Sequence, residues 1–68
     1  MDPLQQLFMR AQSLKYKIDE CNREIASAKE PELIQAHTTI KATHVATLAS
    51  VNTQLLSMVS TMTAASTS

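Results

Sequence analysis

Apolar residues recur in the first part of the chain with the spacing of a coiled-coil helix. From Leu4 to Ala28 the steps alternate between three and four residues, which is the a and d pattern of a heptad repeat. Asp2 is a good N-cap and Pro3 suits a first helical position. The pattern therefore predicts a helix over about residues 3–28. Its predicted seam is Leu4, Leu7, Ala11, Leu14, Ile18, Cys21, Ile25 and Ala28.

Pro31 interrupts this repeat, because proline lacks an amide donor and disfavours helical geometry in the residue before it. We predict a turn over about residues 29–31, a second helix over about 32–62 and a frayed tail over 63–68. The predicted seam of the second helix is Leu33, His37, Ile40, His44, Leu48, Val51, Leu55, Met58 and Met62. Its steps contain one extra residue near His44, which is a stutter in the repeat.

Two helices joined by a short turn form an antiparallel pair. The sequence predicts an all-α fold with one domain, a helical hairpin that is a two-helix coiled coil. The residues expected to pack across the hairpin seam are Leu7, Leu14, Ile18, Cys21, Ile25, Ile40, His44, Leu48, Val51 and Leu55.

A second stripe of the second helix consists of Val45, Ala49, Asn52, Leu56 and Val59. All charged residues lie in residues 1–41, so this stripe belongs to a segment without charge. The hairpin seam leaves the second stripe uncovered, and an uncharged helix that is apolar on two sides is normally buried on two sides. We predict a protein-binding surface formed by Phe8, Val45, Leu56, Val59 and Met62. Self-association through the same stripe is the alternative.

The amino-acid composition argues against several classes of protein function. The 68 residues contain no glycine, which argues against phosphate-binding loops and tight hairpins. Six acidic and six basic residues balance, so a nucleic-acid footprint is not expected. Ten of the 21 residues from Ala42 to Met62 are polar, so no membrane span is expected either.

Candidate chemistry is sparse, and we expect no enzyme activity, no cofactor and no metal site. His37 and His44 share a helix face but are two turns apart, too far to ligate one metal ion. Cys21 falls in the seam among acidic neighbours, where a thiol behaves as a small apolar residue. A single cysteine forms no internal disulfide, which favours a reducing compartment such as the cytoplasm.

The run Glu20–Ala26, with Glu30-Pro31-Glu32 at the turn, resembles the small E-type needle chaperones of bacterial type III secretion, the YscE/PscE family. The resemblance extends over roughly residues 4–60 and implies a helical hairpin. It also implies two partners, a tetratricopeptide-like co-chaperone and the needle subunit. This chain and the co-chaperone together would keep the needle subunit monomeric in the cytoplasm.

A second resemblance involves Pro31–Gln35 and the later run Ser57–Thr61, which look like the C-terminal hairpin of secretion needle or inner-rod subunits. That resemblance implies a self-polymerising protein. A coiled-coil subunit of some other multiprotein assembly is a third alternative.

Overall fold

The computed structural model describes residues 2–67, with side chains for residues 2–64. It contains two helices, α1 over Pro3–Ser27 and α2 over Pro31–Thr67. They pack along each other and form an elongated body of 57 × 18 × 14 Å. The predicted all-α helical hairpin is thus confirmed.

The start of α1 follows from its first two residues. The Asp2 carboxylate accepts a hydrogen bond from the Leu4 amide at 3.1 Å, which satisfies one of the amides that have no partner within the helix. Pro3 occupies the first helical position, where its missing amide is no loss. The predicted N-cap is therefore the observed one.

The turn occupies residues 28–30, one residue earlier than predicted. The Ala28 amide donates to the Glu24 carbonyl at 2.9 Å and closes α1. The Glu30 carbonyl accepts from the amides of Leu33 and Ile34, both at 3.1 Å, and opens α2. Ala28 is extended, with φ −72° and ψ 137°, and the proline after Glu30 disfavours helical geometry at that residue, so the chain reverses here.

The far end of α2 differs from the prediction. The helix continues to Thr67, whereas the sequence predicted an end near residue 62 and a frayed tail over 63–68. Neither glycine nor proline follows Met62, and Ala64 and Ala65 have the highest intrinsic helix propensity. Nothing in this segment stops the helix. Ser68 lies outside the described residues.

The seam of α1 follows the predicted heptad positions. All eight predicted residues from Leu4 to Ala28 are buried or half-buried, and every other residue from Asp2 to Ser27 is exposed. Four buried side chains form the centre of the core, and three partly buried leucines pack against it. The core cluster is Ala11, Leu14, Val51 and Leu55, with Leu4, Leu7 and Leu48 around it.

The seam of α2 requires two corrections. Leu33, the first residue of the predicted seam, is 47% exposed, because it lies in the first turn of α2, beyond the part that packs against α1. Ile40, expected in the seam, is 45% exposed, whereas the neighbouring Lys41 is half-buried. With Lys41 in its place the steps from His37 to Met62 alternate strictly between four and three residues. The predicted stutter near His44 is therefore wrong. A lysine fits a half-buried position because its methylene stem packs while its ammonium group reaches water.

Candidate functional site

The hairpin has two dissimilar halves along its seam. Near the open end, where α1 begins, apolar residues of both helices form the core. Near the turn, α2 contributes His37, Lys41 and His44, all half-buried, opposite Ile18, Cys21 and Ile25 of α1. The two halves therefore offer different surfaces, one apolar and one polar.

The five residues expected to bind a partner are all exposed. Their exposed fractions are Phe8 52%, Val45 46%, Leu56 69%, Val59 45% and Met62 54%. Covering large apolar side chains that are this exposed with another surface is favourable in free energy. The five residues therefore form the candidate interface.

Phe8, Val45 and Val59 lie on one side of the hairpin. Each directly follows a d position of its seam, namely Leu7, His44 and Met58. In an antiparallel pair such e positions of the two helices flank the same side of the seam. The second stripe of α2 and Phe8 of α1 are thus parts of a single surface.

Met62 is exposed for a different reason. It is a seam residue of α2, one step beyond Met58 in the heptad register. Continuation of the register pairs Met58 with Leu4, close to the start of α1 at Pro3. Met62 therefore lies beyond the end of α1, and the apolar surface continues onto the extension of α2.

The threonines of α2 make this helix more apolar than its sequence indicates. Six threonine hydroxyls donate to the carbonyl four residues earlier, at 2.7 to 3.3 Å. These residues are Thr38, Thr39, Thr43, Thr47, Thr53 and Thr61. A hydroxyl that is already bonded within its own helix can enter an interface without losing a hydrogen bond. Because these six threonines are distributed around α2, the effect applies to the helix as a whole and not to the second stripe in particular.

The opposite side of the hairpin, near the turn, contains an open groove of about 310 Å³. Its lining combines acidic, basic and thiol groups with one exposed apolar side chain: Lys17, Glu20, Cys21, Glu24, His37, Ile40 and His44. Within the part of the chain that the structure describes, the one approach of a basic to an acidic side chain within 4.0 Å joins His37 Nε2 and Glu24 Oε2. The groove therefore lies on the side of the seam away from the second stripe, and its lining contains charged side chains.

The groove does not have the arrangement of a metal centre. Among the described residues, no three of the histidine, cysteine, aspartate and glutamate side chains come together as metal ligands do. Cys21 is buried with a free thiol, as its seam position predicts. Sequence reasoning missed this groove, because it becomes visible only once Lys41 replaces Ile40 in the seam and Ile40 moves to its rim.

Neither helix has, within the described residues, a stretch long and apolar enough to span a lipid bilayer. Comparison of the chain with protein-family models, curated proteins and solved structures found no match. The candidate site is therefore interpreted from its own geometry.

Proposed function

We propose that this chain is a non-enzymatic protein-binding subunit that acts through the second stripe of α2, together with Phe8 and Met62. One observation carries the proposal: from residue 42 onward α2 has no charged side chain, yet it exposes Val45, Leu56 and Val59 on one side. A solvated helix face normally carries lysine and glutamate. A face without them is typical of a helix that another helix covers.

Binding of this kind requires no chemistry beyond burial. Covering apolar surface contributes about 25 cal/mol per Å², reduced by the loss of translational and side-chain freedom. Affinity then depends on how well the partner fills the space around Phe8 and Leu56.

A more specific form of the proposal rests on the resemblance of Glu20–Ala26 and Glu30-Pro31-Glu32 to the E-type needle chaperones. In that form the hairpin joins a tetratricopeptide-like co-chaperone in the cytoplasm, and the two keep a needle subunit monomeric. The observed helical hairpin is consistent with that family, but it is equally consistent with a coiled-coil subunit of another assembly.

The test is affinity capture from the native host with the tagged full-length chain and two variants. Leu56→Glu places a charge within the second stripe. Met9→Glu is the matched control, because Met9 is similarly exposed at 53% but lies on the outer face of α1. We expect the partner to be captured by the wild type and by Met9→Glu, and to be lost with Leu56→Glu.

Equal capture by Leu56→Glu would exclude the second stripe as the binding surface. The identity of the partner decides the more specific form. A co-chaperone with tetratricopeptide repeats and a needle subunit support the secretion chaperone. Long filaments of the purified chain in electron micrographs would instead favour the needle or inner-rod alternative.

A further inference from the structure

We propose that the second stripe of α2 closes on a second copy of this chain, with the two α2 helices antiparallel about a two-fold axis near Ser50 and Val51. This inference rests on the proposed function, since it takes the second stripe as a protein-binding surface. It goes beyond that function because it says what covers the second stripe in the absence of another protein, namely a second copy of the chain. The homodimer and any other partner would then compete for the same residues.

The spacing of the second stripe is self-complementary. Its steps of four, three, four and three residues form a seam of their own. When the helix is paired antiparallel with itself, Val45 meets Leu56 of the second copy and Ala49 meets Asn52. Ala42, one step before the stripe, then meets Val59. Large side chains oppose smaller ones in every layer, which is how facing helices interdigitate.

The direction of the second stripe fits a four-helix bundle. At about 100° per residue, the centre of the stripe lies about 100° around α2 from the centre of the hairpin seam. In a four-helix bundle the helices run nearly parallel or antiparallel, and the directions from one helix to its two neighbours differ by about a right angle. The two hairpins would therefore stack side by side.

Charge also favours a second copy. A surface that covers the stripe must not bring an unpaired charge, because a buried charge without a partner is strongly unfavourable. The exterior of α1 carries Lys15, Asp19 and Arg23 among its charges. The uncharged face of another α2 meets the requirement, and an isologous interface uses the same patch twice.

The hairpin alone is also poorly covered for a domain of its size. Among the described residues, the buried apolar residues are Ala11, Leu14, Cys21, Val51 and Leu55. Chains of this length bury a small fraction of their surface and are often stabilised by oligomerisation. Burial of the second stripe in a dimer would add a second apolar core, parallel to the core of the hairpin.

Asn52 has a specific role in this interface. It is the polar member of the stripe and lies next to the two-fold axis. A single buried asparagine in a coiled-coil seam selects register and oligomeric state. In the register described above the two Asn52 residues are three residues apart along the helix axis, about 4.5 Å, so that their amides can pair with each other.

The first test is sedimentation equilibrium of the full chain with the variants used above. We expect the wild type and Met9→Glu to be dimers, and Leu56→Glu to be a helical monomer whose dimer dissociation constant is raised at least about 100-fold. A wild type that stays monomeric overturns the inference and leaves the proposed function to the capture experiment. Open-ended polymers also overturn it.

A dimer that survives Leu56→Glu overturns the inference, because the two copies then meet through another face, and it leaves the proposed function to the capture experiment. If Leu56→Glu fails to fold, distances between spin labels on the two copies test the inference instead. In a Cys21→Ala background, nitroxide labels at Thr53→Cys should be offset by about 8 Å along the helix axis, and those at Thr39→Cys by about 35 Å. Equal distances at the two positions indicate parallel helices and overturn the proposal.

Discussion

Lys41 is the residue of the hairpin seam that the sequence pattern did not predict. It lies half-buried in the α2 seam between His37 and His44, and the register pairs it with the buried Cys21 of α1. Its methylene stem contributes packing, but its ammonium group must remain hydrated. The seam layer at Cys21 is therefore weaker than the apolar layers toward the open end.

This position predicts a stabilising substitution. Lys41→Met keeps a long, flexible side chain and removes the charge, so it should raise the free energy of unfolding by about 1 kcal/mol, or the melting temperature by about 4–8 °C. Thermal denaturation followed by circular dichroism, at equal protein concentrations, measures the change in melting temperature. Lys17→Met, at an exposed position on α1, is the control and should leave the melting temperature nearly unchanged. A lower melting temperature for Lys41→Met would show that the ammonium group makes a required contact.

The two helices differ in how far their sequences determine the seam. In α1 every seam residue was predicted, because no large apolar residue competes beside Leu14, Ile18 or Ile25. In α2 Ile40 and Lys41 compete for one position. Hydrophobicity favours Ile40, whereas the regular 3.5-residue period of the seam places Lys41 there. The exposure of the second stripe was also predicted, since an unbroken apolar spacing beside a filled seam has no place inside a two-helix core.

The boundaries of the helices follow local chemistry, and the clearest example gives a prediction. Asp2 accepts the Leu4 amide at the start of α1, so Asp2→Ala should cost about 0.5–2 kcal/mol of stability. Asp2→Asn retains a capping oxygen and should lose much less. Chemical denaturation of both variants, monitored by helical circular dichroism, provides the comparison. Equal losses would indicate that the charge near the helix dipole matters more than the hydrogen bond.

In the whole molecule, the uneven lengths of the two helices extend the candidate interface beyond the end of α1. α2 is 37 residues long and α1 is 25, so α2 extends beyond the start of α1 and leaves Met62 exposed. The charged groove near the turn and the uncharged stripe lie on opposite sides of the seam. A hairpin built in this way can pair through one side while the other stays hydrated.

The elongated shape gives the last prediction. A compact 68-residue domain has a radius of gyration of about 11 Å, whereas the hairpin has 16.1 Å and a longest dimension of 57 Å. Small-angle X-ray scattering of Leu56→Glu, the variant expected to be monomeric, should give values close to those of the hairpin. The wild-type dimer should have about twice the forward scattering at the same mass concentration, with little increase in length, because the proposed pairing sets the two hairpins side by side. A particle nearly twice as long would mean that the hairpins meet end to end, through the extension of α2 rather than through the second stripe.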